Sequence, residues 1–181
     1  MRLLLVGAIV LFACPMVAAD LLLTVSNNGG LAEITGSGSA SATILISHDE
    51  FDSLAGAGIS DTVNTSGADN STSGLTLTNT TLPDVVSITS IGFTEGTPDR
   101  FDSGLSADFS TQVGDNVTLS GSELTSIPFA NFNAGNSASF ISDEHGLAVT
   151  IDVVPEPSTF AMLGLGALAR FGMSRRRKHS R

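Results

Sequence analysis

Tryptophan and tyrosine are absent from the 181 residues, cysteine occurs once, and the only lysine is Lys178. A lone cysteine cannot close a disulfide within the chain, so a disulfide-stapled scaffold is excluded. Without Trp or Tyr the chain lacks the aromatic platforms that usually accompany paired carboxylates in glycoside cleavage. Cations are scarce, with 8 Lys and Arg against 18 Asp and Glu, a formal net charge of −10. That balance repels phosphate and argues against a nucleic-acid partner. The chain also has no long hydrophobic run. The two most apolar stretches lie at the termini and span eleven and ten residues, against about 20 for a free-standing membrane span.

What is present is unevenly distributed. All eighteen carboxylates fall between Asp20 and Glu156, where Arg100 is the only cation, so this stretch has a balance of −17. The other cations are Arg2 at one end and Arg170, Arg175, Arg176, Arg177, Lys178 and Arg181 at the other. The chain therefore reads as three parts.

Residues 1–19 have the layout of an export signal. Arg2 supplies a positive start, Leu3 to Ala13 an apolar core, and Pro15 a break. The small residues Val17, Ala18 and Ala19 precede Asp20, which predicts cleavage by signal peptidase after Ala19. Cys14, after Leu11-Phe12-Ala13, partly matches a lipidation site, but Phe12 is too large for it. Discard with the signal is the preferred reading, and it leaves a mature protein without thiol chemistry.

The C-terminus begins with Val154-Pro155-Glu156-Pro157-Ser158-Thr159. An apolar stretch from Phe160 to Ala169 follows, and the chain then reaches the cluster Arg175-Arg176-Arg177-Lys178. Prolines stop a preceding strand, and a compact cationic cluster stays on the cytoplasmic side of a membrane. Phe160 to Met173 is short for a permanent anchor and suits brief retention. The Pro-Glu-Pro, the Gly-rich apolar segment (Leu163 to Leu168) and the three arginines, in this order, resemble a PEP-CTERM sorting signal. The resemblance implies an exosortase substrate, with Pro155, Glu156 and Pro157 as the sorting motif. Arg175, Arg176, Arg177 and Lys178 are then the membrane stop. It also implies export machinery as a partner, transient membrane contact through the C-terminal helix, and delivery to the cell surface or extracellular polymer matrix. Glu156 would be recognised rather than act catalytically.

The acidic middle, residues 20–154, is long enough for one hydrophobic core. Leu147, Val149, Ile151 and Val153 alternate with Ala148, Thr150 and Asp152, a period of two that predicts a half-buried strand. Further strands are expected over 21–26, 41–47, 75–79, 85–93, 116–120, 124–128 and 138–142. Turns are expected over 27–30, 56–58, 66–70, 96–99 and 114–116. Short strands between frequent turns predict an all-β fold, a single antiparallel sandwich of jelly-roll or immunoglobulin-like type. A signal helix and a short C-terminal apolar helix would flank it. Ser47-His48-Asp49-Glu50 could cap a short helical turn. Phe51, Phe93, Phe101, Phe109, Phe129, Phe132 and Phe140 would supply the core bulk.

Catalytic signatures are thin. No Gly-x-Ser-x-Gly elbow is present. A metal site would need His48, Asp49, Glu50 and Asp52 to meet His145, Asp143 and Glu144, which nothing in the spacing enforces. The loop carboxylates Asp49, Asp52, Asp61, Asp69, Asp99, Asp102, Asp108 and Asp115 would suit calcium. Surface solvation is the preferred reading of them. Four Asn-x-Ser/Thr triplets, at Asn64, Asn70, Asn79 and Asn116, match glycosylation sequons. The expectation is a non-enzymatic exported protein without a cofactor, structural or adhesive in exopolysaccharide or biofilm. A carbohydrate- or calcium-binding module is the alternative, and a secreted hydrolase is a weaker one.

Overall fold

Strict alternation of inward and outward side chains defines most of the strands in the computed structural model, which describes residues 20–44, 53–60, 62–70 and 74–155. Ten strands form among the described residues: β1 (Leu21–Asn28), β2 (Leu31–Ser41), β3 (Gly56–Ala57), β4 (Gly67–Asp69), β5 (Leu75–Asn79), β6 (Asp84–Thr94), β7 (Arg100–Leu105), β8 (Asn116–Pro128), β9 (Ser137–Ile141) and β10 (Ala148–Val153). Among the described residues the only helix is a single 3-10 turn, Phe129–Asn131. The fold is all-β, as expected. The two flanking helices and the Ser47 capping box lie outside the described residues, although Ser53 beyond the box forms an extended bridge to Gly104.

The expected two-layer antiparallel sandwich gives way to one continuous sheet in the order β3-β7-β6-β5-β8-β2-β1-β10-β9, with β4 beside β6. The sheet is mixed, because β1 and β10 run parallel, from Leu21 opposite Val149 to Val25 opposite Val153. It curls until its ends meet. Gly56 on β3 lies against the Phe140 ring on β9, and the Asp143 N–H donates to the Ala55 carbonyl at 2.8 Å. The result is a barrel closed except for this unladdered seam. Along β6 the inward positions switch from Val86 and Ile88 to Ile91 and Phe93. The register shift between Ile88 and Ser90 is the cause, since an extra residue bends the strand and re-aims its side chains.

The core fills the barrel. Leu21, Leu23 and Val25 of β1, Leu75 and Leu77 of β5, and Val149, Ile151 and Val153 of β10 are fully buried. The aromatic prediction is met at every described position: Phe93, Phe101, Phe109, Phe129, Phe132 and Phe140 are all buried. Phe93 stacks edge-on to Phe132 with ring centroids 4.9 Å apart, geometry favoured by the ring quadrupole. Phe51 lies outside the described residues.

Several strand expectations need correction. Of the strand expected over 41–47, Ser41 is the last residue of β2 and residues 42–44 are not extended into a strand, while 45–47 lie outside the described residues. The turns expected over 56–58 and 66–70 contain β3 and β4. Strands 116–120 and 124–128 are one strand, β8, running through Gly121. Gly121 has φ +105° and abuts the Gly74 carbonyl, so no side chain fits there. The Gly29-Gly30 turn is as predicted. Both residues have positive φ, and together they close a two-residue hairpin between Asn28 and Leu31.

Candidate functional site

The strand that delivers the chain to the Pro-Glu-Pro motif is held on both sides. Strand β10 lies between β1 and β9 and pairs with each over five residues. Its end is tied down bond by bond. The Val153 N–H donates to the Asn136 carbonyl at 2.9 Å, and the Val153 carbonyl accepts from Gly135 at 2.7 Å. The Val154 N–H donates to the Val25 carbonyl at 2.9 Å. Pro155 comes next, and it has no N–H with which to continue the ladder. Its exposed ring stands beside Gly135, close enough that a Cβ there would lie 3.6 Å from the proline Cγ. The fold thus runs into the motif without a spacer. Glu156, Pro157, Arg175, Arg176, Arg177 and Lys178 lie outside the described residues, as does Ala19 at the other boundary.

The first residue after that boundary is also anchored. One carboxylate oxygen of Asp20 accepts from the Thr150 hydroxyl at 3.0 Å. Gly38 crosses so close to the Asp20 carbonyl that a Cβ would lie 2.3 Å from it. The parallel pairing places this entry point and the Val154 exit at opposite ends of β1 and β10.

The hypothetical histidine–carboxylate site does not assemble among the described residues. His145 is fully buried, its Nδ1 lies 3.0 Å from the Thr111 hydroxyl, and the Phe109 ring meets it edge-on at 5.6 Å. Its chain neighbours turn away. Glu144 accepts from the Ser53 N–H and hydroxyl at 2.8 and 3.1 Å. Asp143 accepts from Arg100 at 2.9 Å. That bond, with Asp102 nearby, raises the affinity of the Arg100 guanidinium for its proton. His48, Asp49, Glu50 and Asp52 lie outside the described residues. No group of three His, Cys, Asp or Glu among the described residues could hold a metal.

The remaining calcium candidates are dispersed, and several are used locally. Asp69 accepts from the Ser126 N–H, and Asp99 from the Gly96 N–H. Buried Asp115 accepts from the Asn79 amide and the Gln112 N–H, both at 2.8 Å. Asp108 is exposed, and Asp61 is outside the described residues. A shallow cavity of about 290 Å³ opens near the entry end, lined by Ser39, Ser41, Thr43, Asn116 and Ile141 among others, with no carboxylate or imidazole in its wall.

The outer face of the sheet carries aligned hydroxyls. Ser87 stands opposite Thr76, and Thr76 opposite Ser120. Ser122 stands opposite Thr35, and Thr35 opposite Thr24. These residues are half-buried or exposed. This arrangement is not visible in the sequence alone, because it needs the strand register. The role of Gly135 at the exit was also missed, although Asn133-Ala134-Gly135-Asn136 carries a turn signal.

Among the described residues no helix is long and apolar enough to cross a membrane, and Phe160 to Met173 lies outside them. No curated protein and no solved structure matches the chain. The segment that leaves the barrel at Val153 does match. Residues 153–178 match the PEP-CTERM protein-sorting motif, so the chain carries a signal that implies processing by an exosortase and export to the cell surface or extracellular space.

Proposed function

We propose that the protein is a non-enzymatic passenger whose barrel, residues 20–154, is sorted to serve a structural or adhesive role in an exopolysaccharide or biofilm matrix. The observation that carries this reading is the seamless junction, in which the last hydrogen-bonded residue, Val154, directly precedes Pro155 of the matched motif. Pro155, Glu156 and Pro157 are the recognised element, Arg175 to Lys178 hold the tail at the cytoplasmic face, and signal peptidase cuts after Ala19. The diverted Glu144 and Asp143 beside buried His145 support a role without catalysis. The rows of Ser and Thr hydroxyls support adhesion, because hydroxyl donors and acceptors in register suit a sugar polymer. The acidic surface keeps the exported domain soluble.

Mass spectrometry of both termini of the surface-exposed protein tests this. The expected mature chain begins at Asp20 and lacks the basic cluster. Surface protein that retains Arg181 would refute processing.

A further inference from the structure

The short reach of the motif has a steric consequence. Glu156 is two residues beyond the last anchored residue, Val154, so chain length alone keeps it within about 7 Å, and Pro157 within about 11 Å. An integral-membrane enzyme is far larger than that reach. It cannot close on these residues in the folded protein without touching the surface from which they emerge.

Two loops form that surface, 27–30 and 129–136. They are joined to each other by the Phe129 N–H to Gly30 carbonyl bond at 2.9 Å. Val25, just before the first loop, bonds Val154, and Gly135 and Asn136 in the second bond Val153. Together they make a collar around the exit. Within an acidic stretch of balance −17, the twelve collar residues include five Asn, three Gly and no charge. Contact strips water from whatever it covers, and an amide surface loses hydration at far lower cost than a carboxylate surface.

We infer that this uncharged collar, 27–30 and 129–136, is the docking face for the exosortase, and that Pro155 is read as part of the folded surface together with Glu156 and Pro157. The inference rests on the sorting reading above and adds a folded contribution to a signal otherwise contained in a linear motif. The occupant follows from the tether, because only the processing enzyme must come within two or three residues of Val154.

The test uses the full chain in the producing bacterium. Ala130→Glu with Ala134→Glu places two carboxylates at exposed collar positions, and Ala107→Glu places one at an exposed position outside the collar. Each is made with and without a twelve-residue Gly-Ser spacer between Val154 and Pro155. The collar pair is expected to lower the processed fraction about tenfold, and Ala107→Glu to leave it unchanged. The spacer is expected to lower processing of the wild type, because it parts Pro155 from the collar, and to bring the collar pair to that same level, because the freed motif no longer meets the collar; a misfolded domain would keep its deficit. Wild-type processing of the collar pair, an equal loss in Ala107→Glu, a spacer without effect on the wild type, or a collar-pair deficit that persists with the spacer would each overturn the inference. If processing persists after deletion of residues 155–157, the sorting reading itself fails, and that outcome is distinct from the other four.

Discussion

Substituting Gly56 by Ala tests whether the sheet curls shut. An added Cβ would lie 2.2 Å from Cδ2 and 2.7 Å from Cε2 of Phe140, whereas carbon atoms rest at about 3.5–4.0 Å. The ring would have to retreat by more than about 1 Å. It has little room, being 7 % exposed and stacked on Phe101 at 5.8 Å. Overpacking of this kind costs about 1–3 kcal/mol. For a domain of this size that corresponds to a fall in Tm on the order of 3–12 °C, read by circular dichroism on the purified protein. Were β3 and β9 apart, the same change would raise stability by about 0.4–1 kcal/mol, because alanine restricts the unfolded chain. The two architectures therefore predict opposite signs. Gly96→Ala is the control, since its Cβ would meet only the Pro98 carbonyl at 3.7 Å. Adding Phe140→Leu to Gly56→Ala should recover part of the loss, a non-additivity expected only of residues in contact. Melting of Gly56→Ala at or above the wild-type temperature would refute the closed seam.

Asn79→Ala should destabilise by about 2–4 kcal/mol in a denaturant titration, because the buried amide donates to the Ser110 carbonyl and Asp115 and accepts from the Thr81 and Leu82 N–H groups. For the same reason Asn79 should stay unmodified in a glycopeptide map despite its sequon, and a glycan there would contradict its burial. Ile151→Ala, at a fully buried position of β10, should cost about 2–5 kcal/mol. Its outward neighbour Thr150→Ala should cost about 1 kcal/mol, and a larger loss at Thr150 than at Ile151 would mean the strand faces the other way. Replacing Thr35 and Ser122 together by Ala should weaken co-sedimentation with the matrix polysaccharide at unchanged Tm, and undiminished binding would remove the hydroxyl face from the adhesive reading.

The elements legible in the sequence are those whose inward positions are large and apolar. Strand β10 alternates Val149, Ile151 and Val153 with polar residues, and β5 alternates Leu75 and Leu77 with threonines. Strand β2 escaped because its inward positions are Ala32, Ile34, Gly36 and Ala40. Gly36 is small for a packing reason, since a Cβ there would lie 2.7 Å from Leu119 and 3.0 Å from Leu75. Strand β7 was obscured by inward Ser103, whose hydroxyl bonds the Leu54 backbone on both sides. The parallel union of β1 with β10 joins segments more than a hundred residues apart, and no local pattern encodes it. The sorting motif was readable because its residues are contiguous in the chain, while loops 27–30 and 129–136 are brought together only by the fold.

The pairing of the domain's first strand with its last gives folding a direction in time. As the passenger emerges from the translocation pore, Leu21, Leu23 and Val25 come out early but lack their neighbour until Val149, Ile151 and Val153 follow. A polypeptide halted before Ala148 leaves the sheet split between β1 and β9, with raw edges open to aggregation. Completion of the barrel thus registers that residues through Val153 have all emerged, just before the residues of the sorting motif follow.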